Sequence, residues 1–173
     1  MARFFEDLST YKLFNGWANI LDWILDDDRF PQTLGWTPGK KRMFTTRSRK
    51  LFGEGMLVTG ANKDLQWDSL DDKSPFVQMT TDGSEGQSLI RHIRNGIAHG
   101  NVEITKRGST LWIYICDYKD NPRIQTAFIS FPMDYIIQLH RIYSEIERGI
   151  KNDKNKTKKS KKESENSGGR KDS

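Results

Sequence analysis

The chain has one cysteine, five prolines, three histidines and no uninterrupted apolar run long enough to cross a bilayer. Each scarcity excludes something. Cys116 alone closes no internal disulfide and builds no multi-cysteine zinc site, and a lone thiol suits a reducing cytoplasm. A membrane helix needs about 18 or more apolar residues in a row, so none is expected. The segment Met1-Ala2-Arg3-Phe4-Phe5-Glu6-Asp7 has an early acidic pair and no small-residue cleavage site after an apolar stretch, so no secretory signal is expected. No glycine loop of the Gly-x(4)-Gly-Lys-Ser/Thr type cradles phosphate, and no Gly-x-Ser-x-Gly elbow or His/Cys/Asp metal cluster is visible. Neither a metal nor a cofactor is expected.

Acid and base are in balance over most of the chain. The formal net charge is +5, but residues 151–173 hold nine Lys/Arg and four Asp/Glu of the 28 and 23 in the whole chain. The first 150 residues therefore carry 19 of each sign. The basic character belongs to the tail. It has no large apolar side chain and contains Ser167-Gly168-Gly169, which predicts disorder from 151 to 173. Such a tail either attracts nucleic acid weakly or serves as a solvated terminus. Residues 1–150 make one domain, long enough to bury a core.

Apolar side chains recur at helical steps over residues 3–28: Phe4, Leu8, Tyr11, Phe14, Trp17, Leu21 and Ile24. Thr37-Pro38 predicts a second helix to about Phe52, stopped at Gly53. That helix carries Lys40, Lys41, Arg42, Arg47, Arg49 and Lys50 with no acid among them. This density suits phosphate or RNA contact, whereas a plainer reading makes it a solvated face. Residues 56–83 lack pattern and read as a loop with a short helix at about 64–72, whose aspartates could pair with the basic helix. Ser84 caps a helix at about 85–99 with Leu89, Ile90, Ile93 and Ile97 as its core stripe. Thr110–Asp117 sets Leu111, Ile113 and Ile115 against Trp112, Tyr114 and Cys116, which is strand alternation. Lys119-Asp120-Asn121-Pro122 turns the chain, and Ile124–Phe131 returns, giving a hairpin at about 110–131. A last helix runs from Pro132 to about 151 on Tyr135, Ile136, Leu139, Ile142, Tyr143, Ile146 and Ile150. His140 lies beside that stripe and reads as structural or exposed.

The stretch Leu89-Ile90-Arg91-His92-Ile93-Arg94-Asn95-Gly96-Ile97-Ala98-His99-Gly100-Asn101 carries the most chemistry. Arginine grips phosphate bidentately and histidine moves protons near neutral pH. His99-Gly100 also has a purely structural reading, as a helix stop with a left-handed cap. On a helix, His92 and His99 lie about 20° and about 10 Å apart, too far to share one metal directly. Arg94 points about 140° around from His99. Either the length of arginine closes that gap or a second subunit completes the site.

Arg94-Asn95-Gly96-Ile97-Ala98-His99 resembles the Arg-x(4–6)-His signature of HEPN domains, in the form with Asn directly after Arg. Gly100-Asn101-Val102 resembles the subgroup whose motif helix runs into a hairpin. The resemblance implies a mainly α fold, a HEPN-like bundle of about four to five helices with an inserted β-hairpin. It implies metal-independent RNA cleavage at a site shared across a homodimer, in a cytoplasmic toxin or antiviral defence protein with an antitoxin or regulatory partner. Arg94, Asn95 and His99 are then the catalytic residues. Lys40, Lys41, Arg42, Arg47, Arg49, Lys50, Arg91 and His92 are candidates for RNA or phosphate contact. Two other readings stand beside it: a HEPN-like module that binds RNA, nucleotide or protein without cutting, and an unrelated helical interaction protein with a basic tail.

Overall fold

The structure is a computed structural model that describes residues 23–24, 36–60, 74–81, 83–120 and 123–149. Of the expected first helix only Trp23 and Ile24 fall among these, both helical and buried. The expected short helix at 64–72 and the tail at 151–173 lie outside the described residues.

Helix α1 spans Pro38–Phe52. Proline at its first position has no N–H to leave unsatisfied. Thr37 is extended and makes no side-chain cap; its carbonyl receives the N–H groups of Lys40 and Lys41. After a 3-10 turn at Gly53–Gly55, strand β1 runs Met56–Gly60 and β2 Phe76–Thr81. Helix α2 spans Glu85–Ala98. Strands β3 (Val102–Arg107), β4 (Thr110–Asp120) and β5 (Arg123–Pro132) follow, then helix α3 over residues 134–149.

The five strands form one sheet in the order β1-β2-β5-β4-β3. β1 and β2 are parallel; every other neighbouring pair is antiparallel. This corrects the expected mainly α bundle: the fold is α/β, and the hairpin of β4 and β5 is the middle of a mixed sheet. Residues 56–60 and 76–81, expected as loop, are strands. The physical reason is side-chain alternation. Val77 and Met79 are buried, while Phe76, Gln78 and Thr81 are half-buried. In β3, Val102 and Ile104 are buried between exposed or half-buried Glu103 and Thr105. A two-residue turn, Gly108-Ser109, joins β3 to β4, with Gly108 at φ 59°.

One face of the sheet presents Ile104, Ile113, Ile115, Ile129, Phe131 and Met79 to the helices. Helix α2 lies across β2, β5 and β4 and inserts Leu89, Ile90, Ile93 and Ile97. Each such side chain contributes about 1.5–3 kcal/mol on burial. α3 adds Ile136, Leu139 and Ile146. Phe52, Phe131 and Tyr135 pack their rings together, as do Trp36, Phe44 and Tyr143. The Trp36 indole N–H donates to Glu147, tying the start of α1 to the end of α3.

Gly96 sets how closely α2 meets β4. A Cβ there would stand 2.2 Å from Ile115 Cγ2 and 3.0 Å from the Cys116 carbonyl oxygen. The motif helix rests directly on the strand at that point.

Candidate functional site

Helix α2 ends in a Schellman turn. Gly100 takes φ 75°, its N–H donates to Ile97 O (3.1 Å), and Asn101 N–H donates to Gly96 O (2.8 Å). Asn101 O then accepts from Cys116 N at 2.9 Å, so the turn is stitched to β4. His99 caps the helix with its N–H on Asn95 O (2.9 Å) and its side chain exposed. The structural role expected for His99-Gly100 is therefore present, and it leaves the imidazole facing water at a rigidly fixed helix end.

One turn before His99, around Asn95, lies a buried polar network. Asp117 on β4 is 4% exposed and His92 on α2 is 3% exposed. His92 Nδ1 lies 2.7 Å from Asp117 Oδ2, and Nε2 lies 2.9 Å from the Thr80 carbonyl oxygen on β2. Both contacts are to oxygens, so the ring and the carboxyl must hold two protons between them for both to be hydrogen bonds. Asn95 Nδ2 donates to the same Asp117 Oδ2 at 3.2 Å, and Tyr118 N–H donates to Oδ1 at 3.0 Å. Asn95 Oδ1 accepts from Arg94 Nη1 at 3.3 Å. A guanidinium only donates, which fixes the outward end of the Asn95 amide as oxygen.

The structure thus joins His92 and Asn95 through Asp117, and Arg94 to them through Asn95. Arg94 and Asn95 are half-buried, as is Arg91 one turn earlier. His92, a candidate for phosphate contact, is enclosed in the core with both ring nitrogens engaged. Asp117 went unassigned in the sequence, where it reads as a strand end. Its signal is its phase: it falls in step with Ile113 and Ile115, on the face that meets the helices.

The basic residues of α1 lie elsewhere. Arg42, Arg47, Arg49 and Lys50 are exposed, and Lys40 and Lys41 half-buried. Arg47 pairs with Glu145 at 2.7 Å, and Arg49 grips Glu85 with two bonds of 2.5 and 2.7 Å. The partners of these two arginines are thus glutamates of α2 and α3. α1 meets α2 at its N-terminal end, where Thr45 Oγ1 lies 3.1 Å from both Ser84 Oγ and Gly86 N. Ser84, expected as a side-chain cap, makes that contact and no cap bond. This junction is about 20 Å along the axis from His99. Among the described residues, no group of three His, Cys, Asp or Glu side chains could hold a metal ion.

A family model described as HEPN pEK499 p136 matches residues 49–157, more than half of the chain. The chain belongs to this HEPN family. The matched segment takes in the whole sheet, α2 with Arg94 through His99, and α3. This HEPN domain thus carries its motif helix against a mixed sheet. No curated protein and no solved structure matches the chain. Among the described residues, no helix is long and apolar enough to cross a membrane.

Proposed function

We propose that this HEPN domain is a metal-independent endoribonuclease working on RNA as a homodimer. The observation that carries the reading is the arrangement at the end of α2: an exposed His99 on a stitched Schellman turn, one and a half turns after an Arg94 held by Asn95.

The reaction needs no group beyond the RNA and these side chains. A base takes the proton of a 2′-hydroxyl, and that oxygen attacks the adjacent phosphorus. The P–O5′ bond breaks as an acid protonates the leaving oxygen. The products are a 2′,3′-cyclic phosphate and a 5′-hydroxyl. His99 is the proton-transfer group, and Arg94 holds the nonbridging oxygens as charge grows on the phosphorane. Asn95 orients Arg94. One chain offers one exposed motif histidine, and a two-fold dimer offers two, enough for an acid and a base. The α1 cations bind the RNA backbone at a distance from the cut. An unrestrained ribonuclease harms its own cell, so the proposal includes a toxin or antiviral role under a regulatory partner or antitoxin.

The test is end-labelled RNA incubated with the protein in EDTA. Cleavage leaving 2′,3′-cyclic phosphate ends is expected. RNA retained uncut would make the domain a binding module, and products lost on chelation would remove the metal-free mechanism.

A further inference from the structure

We infer that Asp117 is a positioning residue for Arg94, acting through Asn95 and held in place by His92. The inference rests on the ribonuclease reading for its consequence in rate, but its geometry stands alone.

Asn95 Nδ2 and Tyr118 N–H both donate to one buried carboxyl group, whose Oδ2 also shares a hydrogen bond with His92 Nδ1. The hydrogen bond to His92 holds whichever proton the pair shares, so toward Asn95 the carboxyl group only accepts, and it turns the amide nitrogen inward. The amide oxygen must then face outward, where it meets Arg94 Nη1. The acid on β4 therefore decides that an acceptor, not a donor, stands beside Arg94. With the amide reversed, an NH2 group would face the guanidinium and repel it. His92 fixes the carboxyl from the other side, since its Nε2 is pinned to Thr80 O on β2. A register irregularity in β4 falls between Asp117 and Tyr118, where the strand presents the side chain to α2 and its next N–H to the same carboxyl. A group serving stability alone would not need this. A buried polar network of this kind is often matched in stability by apolar side chains of similar volume. The relay instead runs from β2 through His92, Asp117 and Asn95 and ends on the arginine of the motif.

Substitution Asp117→Asn keeps the shape but lets the Asn95 amide turn. In nitrogen-15 labelled full-length protein, the Asn95 side-chain amide and the Arg94 guanidinium signals are expected to shift in Asp117→Asn. Arg94 signals that stay unchanged in a folded variant overturn the inference. Should Asp117→Asn fail to fold, Asn95→Ala removes the last link from a half-buried position, and unshifted Arg94 signals there overturn it equally. In cleavage, Asp117→Asn is expected to lower kcat on the order of 10- to 100-fold with KM little changed, as misplacement of a catalytic group does. In an Arg94→Ala background, Asp117→Asn is expected to cost nothing further. Equal losses in both backgrounds would mark a purely structural role and overturn the inference. A wild type that shows the relay signals yet cuts no RNA would refute the ribonuclease reading and leave the relay standing.

Discussion

Gly96 occupies a helix position where alanine would ordinarily gain about 1 kcal/mol from helix propensity. The neighbours reverse that sign. Ile115 is fully buried and the Cys116 oxygen is backbone, so neither yields easily to a Cβ 2.2 and 3.0 Å away. Overpacking typically costs about 1–3 kcal/mol. A 2.2 Å approach calls for the upper part of that range, about 2–3 kcal/mol, so Gly96→Ala is expected to destabilise the domain by roughly 1–2 kcal/mol net, read from urea unfolding. An unchanged or raised midpoint would show that α2 does not rest on β4 as described. The placement of Arg94, Asn95 and His99 at the end of one helix was legible in the sequence. What was not legible was their support. Asp117 lies 22 residues after Asn95 in the chain, and only the pairing of α2 with β4 joins them. Phase with Ile113 and Ile115 marks Asp117 as inward, but nothing local names its partners.

Among the elements, α1 and α2 and their ends were legible, because the proline at the first position of α1, the serine before α2 and the glycine past the end of each are local signals. Two of the strands were not. β1 is five residues ending in glycine, and β2 lies between Pro75 and Gly83 with Gln78 and two threonines diluting its alternation. Their strand state depends on pairing with each other and with β5, which is not local. β3 carried a readable signal in Val102-Glu103-Ile104 and Gly108-Ser109, overshadowed by the stronger alternation after Thr110. On α1, the exposed pairs of Arg47 and Arg49 each contribute at most about 1 kcal/mol. Arg42 and Lys50 are exposed, and no ion pair is seen for them among the described residues. Replacing both with alanine is expected to weaken single-stranded RNA binding and to reduce the salt slope of log K by about 0.7 per cation. An unchanged slope would make the helix a solvated face.

α3 carries a pH dependence. Burial, and secondarily the charge of Arg148, push His140 below the ordinary histidine range, and its ring packs 5.1 Å from Trp23. The unfolded chain therefore binds this proton more readily than the folded one. The contribution of His140 to stability is complete above about pH 6.5. It declines as pH falls through that value and levels off below the lowered folded value. Thermal midpoints of wild type and His140→Gln should separate across that window, with the variant losing less on acidification. Parallel curves would contradict the burial of this ring. RNA cleavage by the variant should stay near the wild-type rate, since His140 lies outside the motif.

For the whole molecule, family membership and the mixed sheet are established together, while the shared site is a proposal with its own test. If each site takes a histidine from both subunits, excess His99→Ala protein mixed with wild type should form mixed dimers and depress wild-type activity. Activity that tracks only the amount of wild-type chain, with a monomer in sedimentation, would contradict a shared site.

The central claim is that His99 moves a proton for attack by the RNA's own 2′-oxygen. Its most direct measurement compares wild type and His99→Ala, in EDTA, on one RNA and on the same strand with a single 2′-deoxy residue at the cut. Wild type should cut only the all-ribose strand. His99→Ala should retain its fold and lose a factor of about 10² to 10⁴ in rate. Equal cutting of both strands, or undiminished cutting by His99→Ala, would contradict the mechanism and return His99 to the role of a helix cap.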